Sequence, residues 1–236
     1  MIAKDQNIAL LTVANAANKN PAWTNYANYC LDRERGFRKQ AFIHLDKFLE
    51  STTKWTLDEK IEFLKFIFSY FENLPQADYG PFPQPLSDRF VKPTLIVWCD
   101  LEKIDNNPFR WFGKYYQSEE HLFKALDLNP ADDLARQAIL TRWTSRIYFS
   151  VHHLPDGYIG DPFEDIKLGE KIYQQIQLLT TEKLREYWTK EADEDLELVR
   201  NYIAWKVSGH SNLEKWGQEN NKRVSYGITR VYYDEK

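Results

Sequence analysis

Two short runs of the sequence hold residue types able to do metal, acid–base or nucleophilic chemistry. His152-His153 followed by Asp156 sets two imidazoles beside a carboxylate. Such a set can ligate a metal ion or move a proton. Adjacent positions on a helix point about 100° apart, however, so both rings cannot share one ion without distortion. A helix C-terminus, where an imidazole meets the dipole and open carbonyls, accounts for the pair without any reaction. Glu119-Glu120-His121 likewise places carboxylates next to an imidazole, but the three face different ways on a helix and suit its first turn. The chain has no H-x3-H, H-E-x2-H or C-x2-C spacing, no glycine-rich phosphate loop and no G-x-S-x-G elbow. No catalytic residue, cofactor or metal site is therefore nominated. An all-helical hydrolase or lyase using His152 or His153 with nearby carboxylates stands as the enzymatic alternative.

Features suited to binding are easier to find. Arg33, Arg35, Arg38 and Lys39 bound one turn. They can dock an acidic partner, or form a solvated turn paired with Asp32, Glu34 or Asp46. Phe109, Trp111, Phe112, Tyr115 and Tyr116 form an aromatic cluster that serves either inter-helix packing or, if exposed on one face, a ligand. The candidate binding residues are Arg33, Arg35, Arg38, Trp111, Tyr115 and Tyr116.

The elements that must carry these residues read as helices. A short one spans Asp5 to Asn18, with Ile8, Leu11 and Ala14 inward. Asn20-Pro21 opens a second through Trp23, Tyr26, Ala27, Cys30 and Leu31, and Phe37 to Glu50 forms a third with Ala41, Leu45, Phe48 and Leu49 on one face. These two make an antiparallel hairpin. Thr56-Leu57-Asp58-Glu59 spells a capping box before a helix that is apolar nearly all round and belongs at the core. Leu74 to Leu86 holds four prolines and one glycine in 13 residues, so it is a domain linker or a loop folded over a surface.

Asp88 to Ile104 is helical, with Pro93 near the start of its regular part. Ser118 caps the helix carrying Leu122, Ala125 and Leu126, and Asn129-Pro130 stops it. Asp132 to His153 forms a long helix with Leu134, Ala138, Thr141, Ser145, Tyr148 and Phe149 near one stripe. Asp161-Pro162 starts the next, and Thr180 or Thr181 the one after. The acidic run Glu191–Asp195 suits a further N-terminus, and Gly209 a C-cap. Val224 to Tyr233 alternates enough for a short strand or an extended tail.

Ala125-Leu126-x-Leu128-Asn129-Pro130, with Gly113 twelve residues before Ala125, resembles the second helix and closing turn of a tetratricopeptide repeat. Trp98 and Leu101 resemble the W-x2-L of its first helix. Gly36, Ala41, Leu45 and Leu49 repeat the spacing upstream, but 77 residues separate the two glycines, which is not a multiple of the 34-residue period. The resemblance covers about a third of the chain, an estimate from these two stretches. It departs from the family where Asn106-Asn107-Pro108 interrupts the first helix. It implies that Gly113 makes the turn between paired helices, and that stacked pairs leave a groove for a peptide.

Composition agrees with a helical protein. Glycine (9) and proline (10) are too few in 236 residues for a sandwich built on tight turns. A net charge of −4 gives no support to sequence-independent nucleic-acid binding. No basic segment leads an apolar one at the N-terminus, and no run of about 18 apolar residues occurs, so neither a signal peptide nor a membrane span is expected. Cys30 and Cys99 read as buried, reduced thiols of a cytoplasmic protein. The expectation is an all-α chain of eight to ten helices in a tetratricopeptide-like array, one domain over 1–236 with a subdivision at residues 75–87. Its expected role is a non-catalytic protein-interaction module, an adaptor or a specific neutralising partner, with bacterial toxin neutralisation as a further alternative. Oligomeric state is open.

Overall fold

The computed structural model describes residues 2–74 and 81–226, the side chains of 2–6 excepted. All secondary structure among the described residues is helical. Contacts divide the chain into two units, Met1–Tyr116 and Gln117–Lys236. The first holds α1 (Ile2–Ala17), α2 (Thr24–Glu34), α3 (Arg38–Thr52), α4 (Leu57–Asn73), a single turn α5 (Gln84–Leu86), α6 (Lys92–Leu101) and α7 (Asn107–Tyr115). The second holds α8 (Glu119–Leu128), α9 (Asp133–Val151), α10 (Pro162–Gln177), α11 (Glu182–Ser208) and α12 (Leu213–Glu219). The expected subdivision at 75–87 does not coincide with this division, because residues 81–87 lie in the first unit.

In the first unit, α4 begins at the capping box: Glu59 N–H donates to Thr56 Oγ1 at 3.3 Å, and Thr56 N–H donates to the Glu59 carboxylate at 2.7 Å. Its Phe63, Leu64, Ile67, Phe68 and Phe71 are buried. Phe63 meets Trp23, Tyr26, Phe48 and Phe90 with ring centroids 4.8–5.5 Å apart, in tilted or edge-on contacts. The α2–α3 pair is antiparallel, since Asp32 faces His44 near the turn while Tyr26 faces Phe48 further away. Before α6, Ser87–Val91 is a π-helical turn in which Lys92 N–H reaches back to the Ser87 carbonyl. Pro93 has no N–H and its ring crowds the preceding turn, so a widened turn just upstream relieves it. Within the proline-rich stretch, Pro81 accepts a hydrogen bond from the Tyr26 hydroxyl at 2.7 Å, and Phe82 packs on Phe68 and Phe71. That part folds onto the first unit; residues 75–80 lie outside the described ones.

In the second unit α9, α10 and α11 each touch the other two, α8 lies on α9 and α12 on α11. Ser118, Asp132, Asp161 and, of the two threonines offered, Thr181 cap their helices, each accepting a backbone N–H of the first turn, and Gly209 ends α11 at φ 71°. A Cβ on Gly169 would stand 2.7 Å from Leu196 Cδ2, so α10 and α11 approach closely there.

Several expectations are corrected. α1 buries Ala9, Leu10, Val13 and Ala14, while Ile8 and Leu11 are exposed. α9 turns Ala135, Ile139, Trp143, Ile147 and Val151 inward and leaves Leu134, Tyr148 and Phe149 exposed. The run Glu191–Asp195 starts no helix and lies within the 27-residue α11, where neither glycine nor proline interrupts. Gly113 makes no turn: it is buried inside α7, and the chain leaves that helix through Gln117 at φ 56°. α6, which carries Trp98 and Leu101, and α8, which carries Ala125 and Leu126, read as the two helices of one repeat, fall in different units. Among the described residues, and apart from the single turn α5, the helices number eleven, beyond the eight to ten expected. Val224–Tyr226 forms no strand, and Gly227–Tyr233 lies outside the described residues.

Two measurements check this account. Phe63→Ala should cost about 3–5 kcal/mol in chemical denaturation, the range for deleting a large buried ring. Glu102 ends α6 by accepting backbone N–H groups of Lys103, Ile104 and Asp105 at 2.9–3.0 Å, and these bonds lower its pKa to about 2. A carboxylate held below its unfolded pKa stabilises fully above that value, near 4.5, and the contribution fades as pH falls towards 2. Melting temperature against pH should therefore fall more steeply over that window in the wild type than in Glu102→Gln.

Candidate functional site

The turn from α2 into α3 carries the basic cluster. Gly36 takes φ 81°, open to glycine at little cost, and Phe37 follows as a 59% exposed ring. Arg35, Arg38 and Lys39 are exposed beside it, and the Arg38 guanidinium lies 5.9 Å from the Phe42 ring centroid. Arg33 instead turns back to the Tyr29 hydroxyl. Of the three acids expected to neutralise this turn, two are directed elsewhere: Asp32 stands 3.6 Å from His44 Nε2, and Asp46 binds Arg89 at 2.6 Å, while Glu34 remains at the end of α2. α3 has no acidic residue in its first turn and no side-chain cap. Positive charge therefore accumulates at the end where the helix dipole is also positive.

The aromatic candidates lie differently. Trp111 is buried, stacked on Phe68 at 4.6 Å, and its Nε1–H donates to Glu72 at 2.7 Å. Glu72 also receives Arg110 through Nε at 2.9 Å and a terminal nitrogen at 3.1 Å, with both side chains about nine-tenths buried. Tyr115 packs its ring on Phe68 and Phe82. Tyr116 shares a hydrogen bond with Ser87 Oγ at 2.9 Å, and burial pushes its phenol up to about 12. The cluster from Phe109 to Tyr116 is thus interior packing and polar anchoring, and Trp111 is interior to the first unit.

His152 is the C-cap of α9, its Nδ1 2.7 Å from the Phe149 carbonyl, and its ring meets that of His153 at 3.9 Å. No group of His, Cys, Asp and Glu fit to hold a metal occurs among the described residues. The Ser118 hydroxyl and His121 Nδ1 lie 2.7 Å apart, a pairing that sequence order did not suggest. Ser118 is also the α8 cap, and Glu119 accepts the Trp143 Nε1–H at 3.2 Å. Cys30 and Cys99 are buried free thiols, and desolvation pushes Cys99 up to about 12, so neither is a ready nucleophile.

A surface missed from the sequence lies along α11. Glu182, Glu186, Thr189, Asp193, Glu197 and Arg200 recur at helical spacing and line an open groove of about 800 Å³ in the second unit. The run's 3.6-residue periodicity was legible, but its division into two helices hid the continuous face. No family model, curated protein or solved structure matches this chain.

The buried pair generates a prediction. Glu72→Gln breaks this buried pair and should cost about 3–5 kcal/mol in urea unfolding. The double substitution of Glu72 and Arg110 by Met should recover most of that loss, because breaking a buried pair costs more than removing it.

Proposed function

We propose that the protein is a non-catalytic protein-interaction module that engages an acidic segment of another protein at the α2–α3 turn. The observation that carries this reading is the exposed Phe37 ring set among Arg35, Arg38 and Lys39, with Asp32 and Asp46 directed to His44 and Arg89 and Glu34 left as the acid beside the turn. An apolar anchor ringed by an excess of cations suits a partner bearing an aromatic or aliphatic residue among carboxylates. Arginine and aromatic side chains are those most enriched in binding hot spots. The antiparallel α2–α3 hairpin is the element that this reading shares with tetratricopeptide-like modules; an adaptor and a neutralising partner both use such a corner.

Affinity capture from the source organism tests it, with wild type compared against F37S/R38E. The expected result is a protein held by wild type and lost from the variant, with binding that weakens as salt rises. Identical captured sets from the two baits would sink the proposal. Both residues are exposed, so far-ultraviolet circular dichroism should be unchanged.

A further inference from the structure

We propose that the outward face of α6 is a self-docking surface, on which a second copy of this chain lays the same helix antiparallel. Three observations in the first unit support it.

The first is an apolar stripe left exposed. Pro93, Val97 and Leu101 fall within about 80° of arc on a helix. All three are exposed, Val97 at 46% and Leu101 at 64%, and Ile96 borders them. The opposite face of α6 carries Thr94, Leu95, Trp98 and Cys99 into the interior. Contiguous apolar surface of this kind marks a contact with another molecule.

The second is that the stripe continues onto a turn fixed by hydrogen bonds. Ile104, three residues past Leu101, is 87% exposed. Even so, the Glu102 carboxylate accepts its backbone N–H at 2.9 Å, and those of Lys103 and Asp105 at 3.0 Å. Fixing so exposed an isoleucine adds little internal packing. A surface ordered before contact loses less entropy on binding.

The third is register and charge, which select the occupant. Pro93 lies four residues before Val97 and Leu101 four after it. In an antiparallel pair related by a two-fold axis, Val97 meets itself and Pro93 meets the second copy's Leu101. Lys92 and Asp100 both lie on the Ile96 side of the stripe. The two-fold therefore sets Lys92 beside the second copy's Asp100, offset by about 3 Å of helical rise and within a lysine's reach. Neither is paired with an opposite charge among the described residues. Lys92 Nζ rests 5.4 Å from the Tyr116 ring centroid, and Lys103 donates to the Asp100 carbonyl, leaving its carboxylate. A parallel pair would set like charges side by side. An unrelated partner gives no reason for acid and base to stand at matching positions; a second copy needs both. Contact through one ten-residue helix falls at the small end of interface sizes, under about 1,200 Å² in total, so the association is weak and reversible.

Disulfide trapping and sedimentation of the full chain test this. V97C would face itself across the axis, within disulfide reach for helices about 8–10 Å apart. Two copies of L101C would lie about 12 Å apart along the helix. Under copper–phenanthroline oxidation V97C should form a covalent dimer at least tenfold faster than L101C, although Leu101 is the more exposed position. Wild type, with Cys30 and Cys99 buried, is the blank. In sedimentation equilibrium K92D should weaken self-association several-fold, and K92D/D100K should restore it. All four positions are exposed, so far-ultraviolet circular dichroism should be unchanged. Equal trapping rates, a charge swap that restores nothing, or a chain monomeric up to about 1 mM would each overturn the inference. None of these variants touches the Phe37 surface, so failure here leaves that proposal standing.

Discussion

The broad apolar face of α4 has to be covered, and that requirement organises the first unit. Glu62, Lys65, Ser69 and Asn73 leave an exposed polar stripe where the sequence suggested a helix apolar nearly all round. Phe63 has no solvent exposure and meets rings from α2, α3 and the turn before α6. Phe68, one turn further, gathers Trp111, Tyr115 and Phe82. Such rings bury large areas and prefer offset or edge-on geometry, so each restricts the placement of the next. The Glu72 carboxylate sits at the end of this column and satisfies both the Trp111 indole and the Arg110 guanidinium. It allows a polar edge to be carried inside without an orphaned donor.

With that interior filled, the exposed aromatic at the α2–α3 corner becomes informative. Single exposed apolar residues are ordinary on a protein surface. Phe37 is distinguished by its neighbours, because the dipole of α3 and three side chains there share one sign. Along α11 the sign is reversed. A net charge of −4 therefore conceals two surfaces of opposite character, and the sum over the chain says little about what either would meet.

Helix starts were legible because a cap is a contact between residues two or three positions apart, which sequence records directly. Thr56 with Glu59, Ser118, Asp132, Asp161 and Thr181 all act where their spacing placed them. Faces were less legible because they depend on what lies opposite. α9 offers Leu134, Tyr148 and Phe149 on one side and Ile139, Trp143 and Ile147 on another, and only packing against α8, α10 and α11 selects the second. The acidic run in α11 misled for a related reason: acids favour a helix start but do not prevent a helix from continuing. The same limit applies to Gly113, since spacing to Ala125 could suggest a turn while Pro108 at the start of α7 carries the helix through it. Of the candidate site, the exposed cations Arg35 and Arg38 could be read in advance. Trp111 could not, because Glu72, its hydrogen-bond partner, lies 39 residues away.

The Ser118–His121 contact is the feature closest to reaction chemistry, and its geometry bears on the choice between binding and catalysis. A hydroxyl 2.7 Å from an imidazole nitrogen is the arrangement of a nucleophile beside its base. Here the hydroxyl also accepts the His121 backbone N–H at 3.4 Å, which places the third residue of α8 over its cap. Side chains at the cap and three residues on are neighbours in every helix that starts this way, as Thr56 and Glu59 show with a carboxylate in place of the imidazole. The short distance follows from closing the first turn, and removing the hydroxyl should be felt as a lost cap, about 0.5–2 kcal/mol. Glu119 is likewise occupied by the Trp143 indole, tying α8 to α9. Polar groups that a reaction would recruit are at this helix end already engaged in holding the second unit together.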